Sequence, residues 1–158
     1  MMRSVEREYR CRSGGFTLIE LVITISIIAI LAAVALPRYI TLQTQARAAK
    51  TQAIFGGVRS AAALAHAQAV ATNGVALATV SMEGVNVDQI FGYPAATNAG
   101  IVTALQLDAT GDQVAITPGP PTLTLDTIGG TAPNCRVTYT EAAAANTAPV
   151  IGVVTTGC

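Results

Sequence analysis

One carboxylate stands inside a stretch that otherwise carries no charge. From Phe16 to Leu36 the sequence reads FTLIELVITISIIAILAAVAL, and Glu20 is its only ionisable side chain. In hydrocarbon such a charge costs about 2.5–3.5 kcal/mol near a helix centre, so it calls for a partner. Glu20 lies one helical turn from Phe16. If Phe16 is the first residue of a processed chain, its free ammonium is the natural partner, within the same chain or from a neighbouring one. A pair between chains would also set their register, because a misplaced carboxylate stays unpaired. The plain alternative is a carboxylate tolerated at a membrane interface.

Other candidates for chemistry are few. His66 sits in an Ala-rich helical stretch with no Cys, Asp or Glu nearby in sequence, so it reads as a satisfied or solvent-facing side chain. Asp108-Ala-Thr-Gly-Asp112 has oxygens at spacings a calcium loop uses, yet lacks the full ligand series and closing Glu, which makes a turn the default. Neither a glycine-rich phosphate loop nor a nucleophile elbow occurs. The expectation is a chain without catalytic residues, metal or cofactor. Nine basic and nine acidic residues, with only 11% charged in all, also argue against a nucleic-acid partner bound by bulk charge.

Three cysteines, Cys11, Cys135 and Cys158, leave one over if two pair. Cys135 precedes the alternating run RVTYTE, and Cys158 ends the strand-like VIGVVTTGC. A hairpin centred between Asn146 and Thr147 sets these two cysteines opposite each other, as a bridge requires. Such a bridge belongs in an oxidising space. The alternative is two buried free thiols.

The elements that must hold these residues follow from periodicity. The 21 residues from Phe16 to Leu36 span roughly 31 Å as a helix, about one bilayer core. Ala29, Ala32, Ala33 and Ala35 let helices approach closely. Thr24 and Ser26 can bond back to carbonyls one turn earlier. Pro37 lacks an N–H and crowds the carbonyl of Ala33, which predicts a kink there. The apolar spacing continues through Tyr39, Leu42, Ala46, Ala49 and Ala53, then through Ile54, Val58, Ala62, Ala65 and Ala69. One long helix from about Phe16 to about Thr72 is expected, with Asn73-Gly74 as its stop. Gly56-Gly57 within it marks a bend or a close contact.

Arg38, Arg47, Lys50 and Arg59 along this helix form no stripe, and read as solvated or snorkelling side chains. Beyond it, Val85–Val87 reads as a strand, Gly92-Tyr93-Pro94 as a turn, and Thr97 or Asn98 as the cap of a short helix to Leu107. Thr122–Leu125 alternates like an edge strand after the turn at Pro118–Pro121. The fold class is α+β: a helical stalk and an antiparallel sheet of about four strands.

The first fifteen residues carry four Arg against two Glu. Such a basic stretch before an apolar run opens any export signal. A secretory signal peptide cut after Ala33-Val34-Ala35 is one reading, although the apolar run exceeds the usual 7–15 residues and Glu20 then has no purpose. The residues Gly14-Gly15-Phe16-Thr17-Leu18-Ile19-Glu20-Leu21-Val22, continuing through Ile30–Tyr39 with Pro37, closely resemble the leader junction of type IV prepilins. That resemblance implies cleavage between Gly15 and Phe16 by a prepilin peptidase, methylation of the Phe16 amine, and a role for Glu20 in docking each subunit into a growing filament. It divides the chain into a leader (1–15), an N-terminal helix (16–72, with 16–36 in the membrane) and an α+β head (73–158). It also implies a C-terminal region bounded by the Cys135–Cys158 disulfide, with Cys11 removed in the leader.

Cys135–Glu141, Val153–Cys158 and Phe91–Thr97 are similar to the subset typified by the mannose-sensitive haemagglutinin pilin. The implied partners are further copies in a helical homo-oligomer, the pilus assembly machinery and the membrane. The implied location is the inner membrane before assembly and an extracellular fibre for adhesion or motility after it. A pseudopilin of type II secretion shares this leader, and its major form would favour a calcium loop over the terminal disulfide. An exported soluble binding protein is the reading from a different class.

Overall fold

The computed structural model describes residues 15–72 and 74–158, so Cys11, Gly14 and Asn73 lie outside the described residues. One helix, α1 (Leu18–Ala71), continues through Pro37 and through Gly56-Gly57. The chain divides into two compact units, residues 1–40 and 41–158. In the first, every side chain from Phe16 to Leu36 is exposed except half-buried Ala32. Thr24 and Ser26 donate to the carbonyls of Glu20 and Val22, both at 2.7 Å, as their type predicts.

In the second unit, α1 buries Thr51, Val58, Ala62, Ala65 and Ala69, a stripe advancing by sevens, fours and threes. The later apolar series of the sequence is therefore the packed one. The earlier series is not: Tyr39, Leu42, Ala46, Ala49 and Ala53 face outward. The polar Thr51 takes the inner position instead, because a hydroxyl there finds partners. Gly57 resolves as a close contact, since a Cβ at that position would meet Leu105 Cδ1 at 2.9 Å.

Among the described residues, seven strands form two antiparallel sheets. The smaller holds β1 (Thr79–Met82), β2 (Val85–Ile90) and β3 (Tyr93–Pro94). Met82 pairs with Val85 and Ile90 with Tyr93, so each hairpin turns on two residues. Those pairs, Glu83-Gly84 and Phe91-Gly92, all have positive φ, the mirror-image turn that matches strand twist and favours Gly second. The expected turn at Gly92–Pro94 thus sits one residue earlier, and β1 is a strand the spacing did not announce. Thr97 caps the next helical segment, Asn98–Val102, accepting from the Gly100 N–H at 3.0 Å. A further turn, α2 (Thr103–Leu105), ends it short of Leu107.

The larger sheet runs β4 (Val114–Thr117), β5 (Thr122–Thr127), β6 (Arg136–Thr140) and β7 (Val150–Val154) in order. β5 is an interior strand, not an edge, because β4 covers its free side. Its inner residues Leu123 and Leu125, with Val137 and Tyr139 of β6, pack against Val58, Ala61 and Ala62 of α1. The small alanines bring the helix axis close to the sheet. On the outer face Arg136 grips Asp126 in two parallel bonds of 2.7 and 2.9 Å. A partly exposed cross-strand pair of this kind contributes about 1 kcal/mol or less.

Tyr139 is fully buried and its hydroxyl donates to the Pro94 carbonyl at 2.6 Å, tying the two sheets together. Burial, then the nearby charges of Glu141 and Tyr93, hold that hydroxyl well above the usual value of 10.0. The folded state thus keeps the neutral form while an unfolded tyrosine ionises near 10. This stability is fully present below that pH and is lost as pH climbs above it. Tyr139→Phe should cost about 1–2 kcal/mol at neutral pH by orphaning the Pro94 carbonyl. It should also flatten the loss of stability above pH 10, measured by denaturant unfolding at pH 8 and 11.

Candidate functional site

α1 begins at Leu18, and the residue before it is its cap. Thr17 Oγ1 accepts the Glu20 N–H at 3.3 Å, while the Thr17 carbonyl accepts from the Leu21 N–H at 3.2 Å. Thr17 and Glu20 therefore occupy the first and last places of a T-x-x-E capping motif. Sequence reading passes over Thr17, although that spacing is its signal. Glu20 thus sits in the first helical turn, where the helix dipole favours a negative charge. No ion pair among the described residues involves its carboxylate.

The surroundings of Glu20 are apolar and unburied: Phe16 is 82% exposed, Leu18 80% and Ile19 68%. Further along, Ile30 and Val34 are 69% and 71% exposed. A helix apolar on every side has no face to offer water, so lipid or other helices must cover it. It is long and apolar enough to cross a membrane. Phe16, Glu20 and Pro37 are all placed on this segment or just before it, and Gly15 immediately precedes Phe16.

The second group of candidate residues lies in the 41–158 unit. Cys135 and Cys158 form a disulfide with Cα atoms 4.8 Å apart. The bridge forms by a different geometry from the expected one. Arg136 faces Val154 and Thr140 faces Val150, so the hairpin centres on Ala145 and its register would set Cys135 opposite Thr155. The chain instead turns back after β7. Gly157 donates to the Asn134 carbonyl at 2.8 Å, and its own carbonyl accepts from the Thr131 N–H at 2.9 Å. That turn brings Cys158 to Cys135.

α1 receives the bridge. The buried Thr51 hydroxyl donates to the Arg47 carbonyl, accepts from Thr127 Oγ1 at 2.8 Å, and lies 3.4 and 3.5 Å from the two sulfurs. Arg47 Nε donates to the Cys158 backbone oxygen at 2.6 Å. Neither Thr51 nor Arg47 announces this role in the sequence, because Cys158 lies 107 and 111 residues further along the chain.

His66 is satisfied, as its setting suggested. Its Nδ1–H donates to the Gly92 carbonyl at 3.0 Å, and its ring stacks on Tyr93 with centroids 4.0 Å apart. The two aspartates of the 108–112 segment close their own turn: the Asp112 carboxylate accepts the Asp108 N–H, and the Asp108 carboxylate accepts the Thr110 N–H.

Comparison with known proteins bears on the N-terminal segment first. Residues 10–36 match the prokaryotic N-terminal methylation motif. The type IV narrow pilus major component PilA5 of Thermus thermophilus is 36% identical over 124 residues, which cover 73% of this chain and 96% of that relative. The chain belongs to the type IV pilin family. No solved structure shows a significant match to it. In this pilin the motif spans the Gly15–Phe16 junction, the cap at Thr17, Glu20 and the exposed apolar helix as one continuous block.

Proposed function

We propose that this pilin is made as a precursor, anchored in the membrane by its N-terminal helix, and polymerised into an extracellular type IV pilus. The observation that carries the reading is the methylation motif laid over a capped helix that is apolar on every side and holds one carboxylate. Pilins are structural proteins, and the chemistry here is assembly rather than turnover. A prepilin peptidase cuts between Gly15 and Phe16, and the new Phe16 amine is methylated. The leader is 1–15, the helix 16–72 with 16–36 in the bilayer, and the head 73–158. Removing the leader takes four Arg and two Glu, leaving five basic and seven acidic residues.

A methylated ammonium remains cationic, so the Phe16 amine of one subunit and the Glu20 carboxylate of another form a charge-assisted pair inside the packed helices. Pro37 allows the helix to bend beyond the membrane segment. The Cys135–Cys158 bridge supports a head that matures outside the cytoplasm. It also favours a pilus subunit over a type II secretion pseudopilin, for whose major form a calcium loop is the expected feature. The C-terminal residues support a place beside the mannose-sensitive haemagglutinin-type subset.

Intact mass and N-terminal sequencing of the protein from sheared fibres test this directly. A chain beginning at N-methylated Phe16 is expected. A chain beginning at Leu36, recovered in the soluble fraction, would overturn the reading.

A further inference from the structure

The seam between the smaller sheet and the helical turns that follow it holds a cavity of about 480 Å³. That volume falls within the roughly 300–1,000 Å³ typical of small-ligand sites. Leu64 of α1, Met82 and Val85 beside the β1–β2 turn, and Val102, Ala104 and Leu107 give it apolar walls. Its polar lining is Thr103, Glu83 and Gln106, and no basic residue is among the lining. The Thr103 hydroxyl is already committed, donating to the Asn98 carbonyl at 2.8 Å.

The other two polar residues are held in place at a conformational cost. Glu83 has φ 49° as the first residue of its two-residue turn, a position that favours Asn, Asp or Gly. Gln106 has φ 54° at the end of α2, where Gly is usual. Both positions carry a long polar side chain instead, and the two meet: Gln106 Nε2 donates to the Glu83 carboxylate at 2.9 Å. Backbone strain of this kind clusters at ligand sites. The bond occupies Glu83 Oε2 and leaves Glu83 Oε1 and Gln106 Oε1 as acceptors on the cavity wall. The carboxylate has no basic partner among the described residues.

An apolar cavity whose single charge is a carboxylate selects its occupant. A neutral apolar molecule would strip water from Glu83 and return nothing. An anionic head would be repelled. A primary ammonium brings N–H donors, no acceptor and the opposite charge, which suits the two waiting oxygens. We propose that this cavity binds an alkylammonium ion, its chain among Leu64, Met82 and Val102 and its head between Glu83 and Gln106. The proposal stands apart from the fibre reading, and its test uses unassembled protein.

The full chain with isotope-labelled methionine methyl groups, kept in a nonionic steroid detergent, provides the test by NMR. Met82 is the only methionine among the described residues, and Met82→Leu assigns its signal. Hexylammonium should shift the Met82 methyl saturably. Butylammonium should bind about fifteenfold more weakly, because each buried methylene is worth about fourfold. Hexanoate controls for partition into the micelle and should leave the signal unmoved.

Glu83→Gln keeps the length of the side chain and removes its charge, so hexylammonium should bind about tenfold more weakly or worse. Three results would each overturn the proposal: hexanoate binding as tightly as hexylammonium, equal affinity for the two amines, or unchanged affinity in Glu83→Gln. A Met82 signal that hexylammonium never moves would do the same.

Discussion

Replacing Glu20 with Ala is expected to leave the pilin in the membrane and reduce fibre yield about a hundredfold. The apolar surface that drives insertion is untouched by the change, and losing a charge makes insertion easier. Assembly is different under the proposed pairing, in which a second subunit's Phe16 amine enters the packed helices beside this carboxylate. Leaving one member of such a pair without its partner costs about 3–5 kcal/mol. Each 1.4 kcal/mol is a factor of ten in the equilibrium for adding a subunit. Glu20→Gln should lose nearly as much, since it keeps the shape and removes the charge.

Glu20 also sits in the capping turn, so Thr17→Ala is the necessary control. That variant loses the cap, worth about 1 kcal/mol, and keeps the carboxylate. Shearing followed by immunoblotting of fibre and membrane fractions measures all three. Fibre loss from Thr17→Ala as deep as from Glu20→Ala would show that the cap, and not the ion pair, is what assembly needs.

The second large effect concerns the disulfide. Changing both Cys135 and Cys158 to Ser should destabilise the 41–158 unit by roughly 3 kcal/mol, the loop-closure value for a separation of 23 residues. For a unit of this size the melting temperature should drop by about 10 °C. The loss has a structural counterpart, because the bridge holds Cys158 where Arg47 and Thr51 can reach it. Thermal unfolding of the detergent-solubilised full chain, followed by circular dichroism, gives the number. Wild-type protein under reducing conditions should fall to the melting temperature of the double variant. A double variant melting within about 2 °C of oxidised wild type would contradict this account.

Some of this was legible before any coordinates. The apolar run, its single carboxylate and the Gly-Phe junction define the membrane helix and the family, because they depend on local composition and contiguous spacing. Thr24 and Ser26 behave as their type predicts, since each hydroxyl finds a carbonyl one turn away. The α+β class and the pairing of Cys135 with Cys158 were also readable. The route to that pairing was not. A centred hairpin gave the right partners through a register three residues off, because the true closure depends on hydrogen bonds to Asn134 and Thr131, far along the chain from Gly157.

What the linear chain determined by itself was whatever rests on neighbours in sequence: the greasy span and the alternation of β5 and β6, and also the cap at Thr17 and the two-residue turns ending in Gly84 and Gly92, local signals that the reading passed over or placed one residue late. Tertiary structure alone decided which helical face is packed, admitting Thr51 while leaving Leu42 outside. It also made β5 an interior strand and β7 an open edge. The physical reason is common to all of these. Burial and pairing are properties of two segments at once, and the worth of a hydroxyl or a free strand edge is set by what the fold brings against it.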